Sequence, residues 1–168
     1  MGLNDAERKQ LPHPAFRFAI DFREVTAGGE GGAVKLCGAS FTECTGLEAT
    51  MEPKVIKEGG RNYGPVQRAG PVTFGTVILK RGMTSARDLW RWFELVNTSG
   101  KSAYRLSAAI TVFDLSGEAL FTWKLEKALP VKFKAADLNA KATDVGVEEL
   151  HLVHEGLTLA PSPERARL

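Results

Sequence analysis

The sequence has few of the residues that usually announce chemistry. It carries 2 cysteines and 3 histidines among 168 residues. The cysteines, Cys37 and Cys44, are separated by an odd number of positions, so on one continuous strand their side chains point to opposite faces. That spacing argues against a disulfide or a shared metal between them and for two reduced, buried thiols that pack as small hydrophobes. No apolar run approaches the roughly 18 to 20 residues a membrane helix needs. The opening stretch MGLNDAERKQLPHP is polar and lacks the apolar segment of a secretory signal, which points to synthesis and assembly in the cytoplasm. Position 6 is Ala, so the myristoylation pattern is incomplete.

Excess charge is also missing. A formal net charge of +2 is too small to argue for nucleic acid or an acidic membrane as a partner. The basic residues are nonetheless unevenly placed. Between Lys54 and Arg81 stand Lys54, Lys57, Arg61, Arg68, Lys80 and Arg81, with Glu58 as the only acid.

The usual catalytic and nucleotide signatures fail on inspection. Gly70 and Gly75 have the spacing of a phosphate loop, but Thr76 and Val77 follow where Lys and then Ser or Thr are required. The segment also runs into a strand pattern, whereas anion binding needs a helix N-terminus directly after the loop. His151 and His154 diverge on a strand, and no third ligand lies near them in sequence. Glu148 and Glu149 are adjacent, so they diverge too and form no acid/base pair. Gly-x-Ser-x-Gly is absent. No catalytic residue, metal ligand or cofactor is expected.

What is present is strand periodicity. Phe16, Phe18, Ile20 and Phe22 alternate with Arg17, Ala19, Asp21 and Arg23, the pattern of a strand with one buried face. TAGGEGG then reads as a flexible turn. A second extended run, AVKLCGASFTECTGLEAT, contains Gly38 and Gly46, which suggest bulges or a sharp bend. After a Gly/Pro-rich stretch, TFGTVILKRG resumes strand character.

The segment MTSARDLWRWFELVNTSG is the one convincing helix. Leu89, Trp92, Phe93 and Val96 form its apolar stripe, Ser85 and Asp88 resemble a weak capping box, and Gly100 supplies a stop. Trp90 and Trp92 lie about 200° apart on a helix, so one of them sits at the margin of the core or under another subunit.

From Tyr104 the chain alternates again, turns at DLSGEA, and returns through Phe121, Trp123 and Leu125 on one face with Thr122, Lys124 and Glu126 on the other. LPVKFKAADLNAKATD reads as a looser connection with a short strand around Val131 to Lys134, and VGVEELHLVHEGLTLA as one last strand. These elements predict a mainly β fold, a barrel or sandwich of about seven antiparallel strands with one helix. The expected organisation is a polar N-terminal extension over 1–14, a β domain over 15–159 with an arm at about 52–75, and a tail over 160–168. A monomeric small-ligand-binding β-barrel or barrel-type enzyme is the alternative this pattern leaves open.

Several ordered motifs go further. Thr45-Gly46-Leu47-Glu48, the arm residues Glu58, Gly59, Gly60 and Asn62, Leu79 to Gly82, Leu89-Trp90 with Trp92, the Trp123, Ala128, Pro130, Lys132 series, and Glu148, Leu150, Glu155, Gly156 occur in a shared order and spacing. Together they resemble the tail tube protein family of contractile phages and phage-derived contractile injection systems, over about Phe16 to Leu157. The resemblance implies a six-membered ring, rings stacked into an inner tube with a β-barrel lumen, and a surrounding contractile sheath. It implies as partners identical copies, the sheath protein, baseplate, spike and tube-terminator proteins, and cargo or DNA in the lumen without tight binding, with no membrane involved. On this basis Lys57, Glu58, Gly59, Gly60, Arg61, Asn62 and Arg68 belong to an arm reaching the adjacent ring. Thr122, Lys124 and Glu126 face the lumen, and Leu89, Trp90, Trp92 and Phe93 serve core or subunit interface. The TAGGEGGAVKLCGAS insert and both extensions depart from the compact family pattern. Main tube protein and spike-proximal tube protein therefore both stay open, as do virion and injection particle.

Overall fold

The computed structural model describes residues 17–26, 29–34, 41–98, 103–141 and 143–161. Among them, twelve strands surround one helix: β1 (Phe18–Thr26), β2 (Gly29–Val34), β3 (Glu43–Thr45), β4 (Ala49–Met51), β5 (Lys54–Ile56), β6 (Val66–Arg68), β7 (Val72–Phe74), β8 (Val77–Gly82), α1 (Asp88–Thr98), β9 (Leu106–Phe113), β10 (Ala119–Lys134), β11 (Val147–Val153) and β12 (Gly156–Pro161). The number exceeds the expected seven mainly because the arm is itself made of short strands.

Eight strands form one sheet in the order β2-β1-β9-β10-β11-β8-β3, with β12 also pairing β10. Its pairings are antiparallel. β10 is the spine. Its first half pairs β9 on one side and β12 on the other, and its second half pairs β11. The sheet bends where Glu126 and Lys127 together oppose a single residue of β9, a bulge in which Lys127 takes a φ of 50°. A bulge turns the strand and increases its twist, and here it folds the sheet over a common core.

That core follows the alternation. Phe22, Leu106, Ala108, Ile110, Leu125 and Ala128 from one half meet Val77, Leu79, Leu150 and Leu152 from the other, and Leu89, Trp92 and Val96 of α1 complete it. Trp92 packs edge-on against Phe22 at 5.5 Å.

The β9–β10 turn is built by Asp114. Its Oδ1 accepts from Ser116 N at 2.8 Å, Ser116 Oγ at 2.6 Å and Glu118 N at 2.9 Å, while Gly117 takes a φ of 89°. The hydrogen bond from the Ser116 hydroxyl, with those from the backbone, holds the Asp114 carboxyl below its ordinary range.

The structure revises four sequence expectations. The part of the expected TAGGEGG turn from Gly29 to Gly32 belongs instead to strand β2 (Gly29–Val34). Leu129 and Pro130 join the strand expected around Val131 to Lys134 to the rest of β10, so no loose connection opens there. The last strand divides into β11 and β12 around His154 and Glu155, where Glu155 N donates to Glu126 O at 2.9 Å. Helix α1 begins at Asp88, whose carboxylate accepts from Leu89 N and from Arg81, so it is engaged elsewhere than in a box with Ser85. Cys37, Gly38, Gly100 and the end segments 1–14 and 162–168 lie outside the described residues.

Candidate assembly surfaces

The first surface is the polar face of the sheet formed by β1, β9, β10 and β12. Of the expected lumen residues, Lys124 and Glu126 line an open trough of about 510 Å³ with Asp21, Arg23, Ser107, Ala109, Thr111 and Thr158, and Thr122 stands opposite Thr111 beside it. The registers set the rows: Asp21, Ala109, Lys124 and Thr158 align across four strands, as do Ala19, Thr111, Thr122 and Ala160. The hydroxyls of Thr111 and Thr122 lie 3.1 Å apart. Asp21, Arg23, Ser107, Ala109 and Thr111 belong to this face by the same period-2 alternation that marked Thr122, Lys124 and Glu126. Pairing of β9 with β10 joins the two sets, and pairing of β1 with β9, which is not written in any one segment, adds Asp21 and Arg23.

The second surface is the arm. Ala49–Met51 pairs Val72–Phe74, and Lys54–Ile56 pairs Val66–Arg68, which makes one interrupted hairpin over Ala49 to Phe74. Its tip holds Lys57, Glu58, Gly59, Gly60, Arg61 and Asn62, all exposed, and Arg68 lies on its returning strand. Gly60 and Gly64 have φ of 83° and 88°, a left-handed region in which glycine has no Cβ penalty. The arm also displays apolar surface: Tyr63 is 98% exposed, and Met51, Val55 and Val72 are exposed too.

Two close approaches aim the hairpin. Gly46, at φ 85°, lies so close to the carbonyl of Thr76 that a Cβ would come within 2.0 Å of its oxygen, and one at Gly70 would meet the carbonyl oxygen of Glu52 at 1.9 Å. At the base, Phe74 packs against the ring of His154 at 5.1 Å. The His154 Nδ1 lies 2.9 Å from the Gly156 carbonyl oxygen, and Nε2 is buried without a partner.

Lys80 and Arg81, counted with the arm in sequence, belong to β8 in the main sheet. Lys80 pairs with Glu43 at 3.0 Å, and that hydrogen bond raises the lysine above its ordinary value. Arg81 is 1% exposed. It donates to Asp88 of α1 at 2.6 Å and 3.2 Å and to Glu148 of β11 at 3.0 Å, tying three elements together.

The helix surface divides as its geometry demands. Trp92 and Leu89 are buried and Phe93 is half-buried, whereas Trp90 is 45% exposed and rests on Phe93 and on Phe133 of β10. On the far side, Phe18, Ile110, Val112, Phe121 and Trp123, with Leu47 and Cys44, line an apolar groove of about 320 Å³. Burial pushes the Cys44 thiol up to about 11. In a Cys37→Ser background, Cys44 is therefore expected to react with a disulfide reagent at pH 8 about 100-fold more slowly than an exposed thiol, because only the thiolate attacks. The raised value also means this thiol contributes stability below the unfolded pKa of about 8.5. That contribution is lost as pH climbs through about 11. Reaction at the rate of a free thiol in the folded subunit would refute the burial.

His151 Nε2 lies 3.4 Å from Glu149, which holds that carboxyl below its usual range. Glu148 faces Arg81 on the other side of the strand. Among the described residues no three His, Cys, Asp or Glu side chains gather as a metal site, and no helix is long and apolar enough to cross a membrane.

The described residues thus combine a sheet with one polar face, a hairpin arm and an apolar groove lined by aromatic side chains. The comparisons give this combination its family. Residues 14–158 match the T4-like virus tail tube protein gp19 family, and the chain belongs to it: it is a tail tube protein of the contractile kind. A chain in the six-fold symmetrised baseplate of the anti-feeding prophage is 25% identical, superposes with a TM-score of 0.73, and covers 90% of this chain and 97% of its own. A chain of the sheath-tube complex of the extracellular contractile injection system PVC is 17% identical, with a TM-score of 0.71 over 95% of this chain and 99% of the other. Hcp1 from Flavobacterium johnsoniae shares the fold at 13% identity and a TM-score of 0.51, over 86% and 96%. No protein with a curated description matches. Family and relatives place the chain among components of phage tails or extracellular contractile injection particles.

Proposed function

We propose that six copies close into a ring and that rings stack into the inner tube of a contractile tail or injection particle. The observation that carries this reading is the open sheet: among the described residues β2, β3 and β12 each pair with a single neighbour. Unpaired strand edges invite further pairing, and cyclic closure removes them. In this reading the face bearing Thr122, Lys124 and Glu126 lines the channel. The Ala49 to Phe74 hairpin reaches the next ring through Lys57 to Asn62 and Arg68, and the groove beside Trp123 is covered by the neighbour.

Sheath protein surrounds the tube, baseplate and spike proteins meet one end, and a terminator the other. The relatives lend support, since they come from a six-fold symmetrised baseplate, a tube-terminating cap and a sheath-tube complex. The role is structural, without catalysis, cofactor or membrane; assembly takes place in the bacterial cytoplasm, and cargo or DNA passes through without tight binding. The monomeric ligand-binding barrel is disfavoured because, among the described residues, the sheet path runs from β2 to β3 without rejoining. Negative-stain imaging of the purified chain is expected to show rings or tubes with a central pore. A monodisperse monomer at high concentration would overturn the reading.

A further inference from the structure

Two cations of the arm face each other. In the outer strand pair Lys54 stands directly opposite Arg68, and like charges so placed repel. Both are exposed, and among the described residues neither forms an ion pair. On the same face, two positions on, Ile56 stands opposite Val66, and both are only half-buried. Lys57 at the tip is exposed as well, while Arg61 is taken by Glu58. With Glu52 as its other acid, the hairpin keeps two positive charges in excess. An isolated subunit is therefore destabilised by a pair that an acidic partner would turn to advantage.

The matching acid lies at the other end of the sheet. The arm is rooted at the bulge, where Phe74 rests on His154 and Glu155 N donates to Glu126 O. From Glu126, β10 runs back seven residues to Ala119, roughly 23 Å. There the β9–β10 turn presents Asp114 and Glu118. Asp114 spends Oδ1 on the Ser116 hydroxyl and two backbone amides rather than on a cation, and Glu118 serves the turn only through its backbone. Arg17, at the same end, donates to the Leu115 carbonyl at 3.2 Å, which still leaves an acid in excess. Other described carboxylates off the arm and off the wet face are mostly committed, Glu43 to Lys80, Asp137 to Lys134, Glu155 to Lys127 and Glu148 to Arg81. The row of Phe18, Val112 and Phe121 leads from the turn into the apolar groove, and Leu115 beside it is 67% exposed.

We propose that the arm of a copy in one ring docks on this end of a copy in the next, the Lys54 and Arg68 pair meeting Asp114 and Glu118 while Ile56, Val66 and Tyr63 cover the groove. The inference rests on the reading that rings stack, and it names the acceptor. Donor and acceptor stand at opposite ends of one chain, so the contact is heterologous and repeats without closing, as a stack along an axis requires. The repulsion between Lys54 and Arg68 is relieved only in the stack, which favours polymer over free subunit.

The test is a charge exchange in the full-length chain, with tube growth followed by sedimentation and electron microscopy. At low salt R68E and E118R are each expected to raise the critical concentration for growth at least ~10-fold, because a ring changes six contacts at once. R68E/E118R is expected to return to within about 3-fold of wild type, since the reversed charges face each other again between rings. Should E118R fold poorly by circular dichroism, E118Q is expected to shift growth in the same direction by a smaller factor. As an unassembled subunit, K54Q/R68Q should melt no lower than wild type, because a repulsion is removed, yet it should grow tubes only at a raised concentration. Unchanged growth of E118R, or a double variant as poor as R68E, would mean that the arm meets another acceptor, and would overturn the proposal while leaving stacked rings in place. Wild-type protein that forms no stacked rings would remove the tube reading and the proposal with it.

Discussion

Arg81→Ala is expected to lower the unfolding free energy of the unassembled subunit by about 3–5 kcal/mol, the range for removing one partner from a buried ionic cluster. Arg81 is 1% exposed, and its guanidinium spans Asp88 at the start of α1 and Glu148 on β11. Truncation would leave the Glu148 carboxylate, itself 9% exposed, without its cation. Arg81→Lys is expected to recover only part of the loss, because an ammonium cannot present the planar fork that meets Asp88 in two hydrogen bonds. R81M/E148L is expected to recover more than either single change, since an apolar pair of similar size removes the stranded charge. Asp88 tolerates that replacement because it is partly solvated and sits where the helix dipole favours a negative charge. Urea titration of the four proteins decides the matter. A loss under 1 kcal/mol for Arg81→Ala would mean that packing, and not this cluster, anchors the helix.

The same residue shows how far the sequence could be read. The count of basic residues from Lys54 to Arg81 does not set Arg81 apart from the exposed ones, because charge along a chain says nothing of burial. Its partners lie 7 and 67 positions away. Motif order did better than charge. Leu79 to Gly82 and Glu148-x-Leu150 looked like separate signatures, and they turn out to be the strands that meet as Leu79 opposite Leu150 and Arg81 opposite Glu148.

Thr45-Gly46-Leu47-Glu48 is the departure of the arm, where Gly46 passes the Thr76 carbonyl and a Cβ at Gly75 would meet the Glu48 side chain at 2.4 Å. Glu155-Gly156 closes over the β10 bulge, with Glu155 on Lys127 and Gly156 opposite Glu126. Alternation made β1, β9 and the first half of β10 legible, since one face of each is buried. The short strand expected around Val131 to Lys134 is present, but its continuity with the first half of β10 is not legible, because register shifts at Leu125/Ala128 and Pro130/Lys132 break the period-2 pattern. The helix stripe separated Trp90 from Trp92 correctly, because 3.6-residue periodicity survives whatever packs against it.

Replacing Glu58–Asn62 with an Asn-Gly turn should leave the subunit folded and abolish long tubes. The cost to the fold is small: every residue from Lys57 to Pro65 is exposed, and Gly59, Gly60 and Gly64 have nothing within 4 Å of a Cβ position. The ion pair between Arg61 and Glu58, 3.7 Å long with both side chains about half exposed, contributes little by itself.

The cost to assembly is large because a ring docks as a unit. If each arm supplies even about 1 kcal/mol, six arms supply roughly 6 kcal/mol per ring, which is more than a 10⁴-fold change in the constant for adding it. Tyr63 is the residue that makes such a contribution reasonable, since a fully exposed tyrosine at a tip is the kind of anchor that dominates interfaces. Tyr63→Ala and Arg61→Ala separate the two ways the arm can hold. An apolar anchor makes Tyr63→Ala the more damaging change at any salt, whereas charge pairing makes Arg61→Ala damaging only at low ionic strength. Far-ultraviolet circular dichroism checks the fold and electron microscopy counts tube length. Tubes of normal length and yield from the tipless protein would show that the hairpin takes no part in stacking.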